Sequence, residues 1–212
     1  MDNSVAWPKP TYPRATASKF ADWVYLNTTQ KRCALPLDDT FREERFKLGN
    51  ITHRHIEIFK YLKWTQEILG NAPTAWSTYF VDDTDHSPSK IFEANRLKFR
   101  HEPMRCVPDL VLRNETENSF IVIERKTTFV PEPRIPVDGW PNVEAQLWCY
   151  SWIDEFLDAS EVILVGQLWH RRQGGVELCH RHPYWKRSDN DHQVRCRQMF
   201  EAYGGRVDIQ QR

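Results

Sequence analysis

The sequence predicts an α/β fold of the α+β kind, with a mixed central sheet flanked by helices. Three observations predict it. Apolar residues recur at helical spacing over residues 40–69 and at strand spacing from 76 to 127. After residue 141 a helix, two strands and a final helix follow, separated by turn signals. An order of helix, strands, helix, strand, strand, helix buries its apolar faces by laying helices on a sheet.

Residues 1–18 hold Pro8, Pro10 and Pro13 without periodicity and predict an extended arm, leaving 19–212 as one domain. Phe20, Trp23, Val24 and Leu26 predict a short helix over 18–30. Phe41, Phe46, Ile51, Ile56, Phe59, Leu62 and Ile68 form the stripe of a longer helix, which Gly70-Asn71 stops. Strands are predicted over 76–81, 91–99, 107–112 and 120–127, with a polar loop at 82–89. Asn114 to Asn118 reads as a hairpin turn joining the last two. Four prolines (Pro131, Pro133, Pro136, Pro141) and Gly139 make 130–141 a loop, and Pro141 opens a helix running to about residue 157. A strand over 161–169, a Gly174-Gly175 turn, a partner strand over 176–182 and a helix over 188–203 follow.

Composition bounds the function. The formal net charge of zero over 212 residues argues against a strong grip on nucleic acid by the whole surface. Local basic strips remain: Arg96, Lys98, Arg100 and Arg105, then Arg181, Lys186, Arg187, Arg195 and Arg197, whose alternative reading is a solvated surface. Five scattered cysteines without a CxxC predict reduced thiols rather than a disulfide framework or a zinc knuckle. No window has signal-peptide or membrane-spanning character, so an intracellular protein is expected, cytoplasmic or associated with the nucleus or nucleoid, with no membrane partner.

The candidate chemistry lies at the end of an apolar strand. Phe120-Ile121-Val122-Ile123 runs into Glu124-Arg125-Lys126. Alternation puts Glu124 and Lys126 on one face and Arg125 on the other. Pairing through the Asn114–Asn118 turn brings Asp109 to Glu124. Two carboxylates held together repel unless a cation lies between them, and a hard divalent ion with oxygen ligands suits them. Lys126 can then orient a water or stabilise charge on a phosphate. Two further patterns accompany this one. Gly49, His53 and Glu57 stack four residues apart on a helix, where His53 and Glu57 can serve as ligands or simply pack and solvate. Gln146 and Tyr150 also share a helix face, although Val143, Leu147 and Tyr150 equally fit a core stripe.

Taken in order, GNITHRHIE, then PD with ERK, then QLWCY resemble the RecB-like branch of the PD-(D/E)XK nuclease superfamily. That branch includes the nuclease domains of recombination helicases and the CRISPR adaptation exonucleases. The resemblance spans residues 49–150, about half the chain. It implies a restriction-endonuclease-like core and a Mg²⁺- or Mn²⁺-dependent nuclease acting on DNA, preferentially as an exonuclease. It further implies His53, Asp109, Glu124 and the Arg125 carbonyl as metal ligands, Lys126 as the catalytic lysine, and Gln146 and Tyr150 as supports of the site and DNA contacts. Glu57 matches a helix acid of less uniform role. Many such relatives hold an iron–sulfur cluster. Cys33 upstream and only Cys179 and Cys196 downstream are too few and too far apart to do so, and no cluster is expected. The neutral charge and the lack of a P-loop imply a homo-oligomer or a helicase or recombination partner. Two alternatives stand beside this reading: a nuclease-fold subunit that binds nucleic acid or a partner without cutting, and an RNA endonuclease of the cap-snatching type.

Overall fold

The computed structural model describes residues 13–28, 75–82, 90–128, 132–136, 139–172, 175–179 and 183–208. The helix expected over 40–69, and with it His53 and Glu57, lies outside them, as do residues 1–12. Three helices are described: α1 (Ala17–Thr28), α2 (Pro141–Tyr150) and α3 (Asn190–Tyr203). The strands are β1 (Ser77–Val81), β2 (Phe92–Phe99), β3 (Glu102–Cys106), β4 (Leu110–Asn114), β5 (Ser119–Thr128), β6 (Glu161–Arg172), β7 (Gly175–Leu178), β8 (Tyr184–Lys186) and β9 (Gly205–Val207). The fold is α+β. Its main sheet runs β1-β4-β5-β6-β7, with β8 also on β6, and a small sheet runs β3-β2-β9. Only β5 and β6 pair in parallel among the described strands. The connection between them passes through α2, as a parallel crossover requires.

The expected arm ends earlier than residue 18. Ala15 and Ala17 are buried, Thr16 bridges to Arg105, and α1 already begins at Ala17. The Tyr203 hydroxyl accepts from the Arg14 N–H at 2.9 Å and donates to the Arg14 carbonyl at 2.9 Å. This segment is fixed by tertiary contacts that its prolines do not advertise. The strand expected over 107–112 is also redrawn. Residues 102–106 form β3, hairpinned to β2 through Arg100 and His101 at φ 50° and 72°. Neither residue is the glycine or asparagine such a turn favours. Pro103 lies within β3, which tolerates it because β3 is an edge strand. Helix α2 stops at Tyr150 rather than near 157. The Asp154 carboxylate is drawn to β2, where it accepts from both the backbone N–H and the side-chain amide of Asn95. Ser151 closes the helix by donating to the Trp148 carbonyl at 2.7 Å.

Alternation along the strands gives the sheet two apolar faces. Val111, Phe120, Val122, Val162 and Leu164 pack with the three helices. Leu110, Leu112, Ile121, Ile123, Ile163 and Val165 form the other cluster with Trp76. Phe20 of α1 ties the helices together, its ring 6.4 Å from Trp148, 5.3 Å from Phe200 and 5.3 Å from Tyr203. A buried phenylalanine of this kind contributes about 1.5–3 kcal/mol. Helix α2 is therefore enclosed, and every residue from Val143 to Tyr150 is buried. It lies close to the sheet because β6 has Gly166 beneath it. A Cβ there would stand 3.0 Å from Val143 Cγ1 and 3.3 Å from Pro183 Cγ. In register, Gly166 is the neighbour of Glu124.

Candidate active site

The helix-covered face of the sheet changes character one rung beyond the core. Leu110 pairs with Ile123, so the next rung sets Asp109 opposite Glu124. Following Phe120 and Val122, Glu124 and Lys126 point to the face that α2 covers. Arg125 points away from it and is buried. Asp109 Oδ2 accepts the Arg125 backbone N–H at 2.5 Å, which locks the carboxyl across the mouth of the hairpin.

Glu124 is only 4% exposed and has partners on both oxygens. Lys126 Nζ donates to Oε1 at 2.6 Å, and Gln146 Nε2 donates to the same oxygen at 2.8 Å. The Tyr150 hydroxyl lies 3.1 Å from Oε2 and 2.9 Å from the Val107 carbonyl, so its single proton serves one acceptor at a time. Gln146 spends its second N–H on that hydroxyl, at 2.6 Å. The i, i+4 spacing of Gln146 and Tyr150 on α2 is what lets both reach one carboxylate. Both residues are also core, so the two readings of this stripe hold together. Lys126 is the member that reaches outward, its side chain 33% exposed.

The electrostatics is under tension. Burial first, and then the charge of Asp109, pushes Glu124 up to about 7, against the opposing effect of Lys126 and the Tyr150 hydroxyl. Burial likewise raises Asp109, although Lys126 and the Arg125 N–H pull the other way. For Lys126 burial alone would lower the pKa. Glu124 and Asp109 outweigh it, so the ammonium stays charged. The Lys126 charge thus opposes the burial penalty of both carboxylates.

The structure brings Asp109, Glu124, Lys126, Gln146 and Tyr150 together from β4, β5 and α2. The Arg125 carbonyl belongs to the same edge. A strand residue directs its N–H and C=O to the same neighbour, and the Arg125 N–H faces Asp109. His53 and Glu57 lie outside the described residues. Two of the basic residues are committed elsewhere. Arg187 donates to the Phe156 and Ala159 carbonyls at 2.6 Å each, and Arg195 to Glu144.

Sequence reading missed two clusters. Asp82, read as the first residue of a loop, follows β1 and donates its N–H to the Asp109 carbonyl at 2.9 Å. Only the register of β1 on β4 reveals this. The second cluster is Glu144, His192 and Cys196, whose candidate ligand atoms lie within 4.8 Å of one another. There Glu144 Oε1 lies 2.9 Å from His192 Nδ1 and 2.5 Å from an Arg195 nitrogen. Burial and the neighbouring Glu144 charge keep the Cys196 thiol far above its ordinary range, hence protonated. The guanidinium already neutralises this carboxylate, so the cluster works as a latch between α2 and α3.

No protein-family model matches this sequence, and no curated protein matches it. Among solved structures, one described as the crystal structure of SSO0001 is similar to 91% of this chain and 77% of its own, at 15% identity and a TM-score of 0.39. Likeness at that level assigns neither a family nor an activity. No helix among the described residues is long and apolar enough to cross a membrane.

Proposed function

We propose that this chain is a divalent-metal-dependent nuclease with a PD-(D/E)XK-type core, hydrolysing phosphodiester bonds of DNA. The observation that carries the reading is the buried Glu124–Asp109 pair with Lys126 at its open side. The donor set fits a hard dication: two carboxylates whose ionisation burial opposes, plus a directed carbonyl. Asp109, Glu124 and the Arg125 carbonyl would hold Mg²⁺ or Mn²⁺, with His53 as the further ligand the sequence resemblance implies. When bound, the ion supplies charge stabilisation on the phosphate and acidifies a coordinated water.

The chain's own groups do the remaining work. Gln146 and Tyr150 each reach one oxygen of the Glu124 carboxylate and hydrogen-bond to one another, which orients it. Their enclosure by α1 and α3 makes that orientation rigid. Lys126 is charged, partly exposed and 2.6 Å from Glu124, and in this reading it is the positive group that would meet a scissile phosphate at the sheet edge. There it offsets charge that develops during in-line attack. Exonuclease action, and a partner or second copy to bring duplex ends to the site, belong to the same proposal.

The test uses end-labelled linear and closed circular DNA, single- and double-stranded, with Mg²⁺, Mn²⁺ or EDTA. Metal-dependent loss of linear DNA alone, abolished in Lys126→Ala, is the expected result. Cutting of circles makes the activity endonucleolytic. No cleavage of any form, with the variant indistinguishable from wild type, overturns the reading in favour of a non-cutting subunit or an RNA substrate.

A further inference from the structure

Helix α2 has a second side. Gln146 and Tyr150 turn to Glu124, whereas Trp148 turns to α3, where its indole N–H donates to Gln193 Oε1 at 2.8 Å. Trp152, just past the helix end, stands beside it with the ring centroids 6.3 Å apart. Between these indoles and α3 lies a groove of about 300 Å³, bordered by Val207 of β9. That volume is at the lower end for pockets that hold small ligands, about 300–1,000 Å³. Helix α3 lines it with Asn190, Gln193, Val194 and Arg197, whose i, i+3, i+4, i+7 spacing sets them on one helix face. Arg187, the residue after β8, completes the lining.

The groove joins apolar ring surface to guanidinium charge. Trp152 is half-buried and its Nε1 lies inside the protein, so the surface it presents is apolar. Val194 is 46% exposed and adds a second apolar wall. The two carbonyls bound to Arg187 are neutral. They fix the guanidinium without neutralising it and use two of its five donors. No carboxylate among the described residues lies within salt-bridge distance of Arg187. Burial lowers its pKa first; Glu161 opposes this and Arg96 adds to it. The Glu161 carboxylate is itself engaged by the Val162 N–H and the Ser188 hydroxyl. Arg96 belongs to the β9 side of the groove, where its carbonyl accepts the Asp208 N–H at 2.7 Å. Arg197 is held loosely, its Nε 3.7 Å from Glu201. The complement of such a lining is a flat aromatic ring joined to an anion.

We propose that this groove binds one nucleotide of a single DNA strand, its base laid against Trp152 and Val194 and its phosphate at Arg187 and Arg197. The choice of DNA rests on the nuclease reading above; the lining by itself selects the aromatic ring and the anion. Stacking on an indole accepts any base, and guanidinium N–H groups hold a phosphate by charge-assisted hydrogen bonds. Asn190, exposed at the same mouth, offers its carboxamide to the edge of the base. Because α2 separates the groove from Glu124, the nucleotide held here is not the one cleaved. It anchors the strand away from the scissile phosphate.

Fluorescence anisotropy of labelled single strands, titrated with the full chain in EDTA, tests this without cleavage. A short oligothymidylate and an abasic strand of equal length carry the same phosphate charge and differ only in their bases. Wild type, Trp152→Leu, Val194→Ser and Arg197→Gln are compared, each with its melting temperature measured. Wild type is expected to bind the oligothymidylate about tenfold more tightly than the abasic strand. Trp152→Leu should lose most of that preference and Val194→Ser part of it, whereas Arg197→Gln should weaken both strands alike. Val194 is exposed, so its variant carries the test should Trp152→Leu fail to fold. Equal binding of the two strands by wild type, or a preference that survives intact in the Trp152 and Val194 variants, overturns the groove assignment. The nuclease reading, which stands on Glu124, is untouched by that result. A preference lost in the variants of a chain that cleaves no DNA upholds the groove and overturns the nuclease reading. A wild-type chain that binds neither strand overturns the proposal and leaves the apolar lining as a protein contact.

Discussion

At the scale of single residues, the site is an unfavourable arrangement held in place by its neighbours. Glu124 is raised to about 7, so folding favours its protonated form. The stability this contributes is fully present below the unfolded value of 4.5 and is lost as pH rises through about 7. In EDTA the wild-type chain should therefore lose stability across that window, by up to roughly 3 kcal/mol. Glu124→Gln should flatten the profile, as urea unfolding at pH 5 and pH 8 would show. Tyr150→Phe removes the one donor shared between a buried carboxylate and the Val107 carbonyl. An expected cost of about 1–3 kcal/mol can be read from the same unfolding experiment. Asp109, Glu124 and Lys126 were legible in the sequence because a five-residue turn and strand alternation suffice to place them. Asp82 was not. It lies 27 positions before Asp109 in the sequence, and an irregularity between Thr78 and Phe80 shifts the register that sets the two opposite each other.

Elements position these residues by close approach. Helix α2 delivers Gln146 and Tyr150 only because Gly166 leaves room beneath Val143. Gly166→Val should push α2 outward, cost about 1–3 kcal/mol, and lower the cleavage rate roughly tenfold to a hundredfold although position 166 touches no substrate. Steady-state kinetics below the variant's melting temperature would measure it. The far side of α2 is tied down by Glu144. Burial pushes this carboxyl up, but hydrogen bonds from His192 and Arg195 outweigh it and hold it below its ordinary value. Its stability contribution is present above pH 4.5 and lost as pH falls below it. Glu144→Gln should remove that acid sensitivity while leaving Mn²⁺ binding unchanged. Nothing in the sequence couples Glu144 to His192, since the pairing exists only once α3 is laid on α2. Likewise the ends of α1 and α2 were set by Tyr203 and Asn95, partners remote from the segments they fix.

For the molecule as a whole, periodicity sufficed to read an α+β sheet with helices on a face. It did not show β3, β8 and β9, which are three to five residues long; β3 carries Pro103 and β9 follows α3 directly. A formal net charge of zero argues against a strong grip on nucleic acid by the whole surface. Single-stranded DNA binding should accordingly fall off gently with salt. A log–log slope shallower than about −3 is expected, equivalent to roughly four phosphate contacts, and fluorescence anisotropy between 50 and 200 mM NaCl would measure it. On the proposed reading, cleavage depends on the buried Glu124 carboxylate of β5. Its most direct test is the Mn²⁺-dependent cleavage rate of 5′-labelled linear DNA by wild type and by isosteric Glu124→Gln, each shown to be folded. A loss of at least about a hundredfold in the variant is predicted. Equal rates in the two proteins would place the activity elsewhere and rule out Glu124 as its seat.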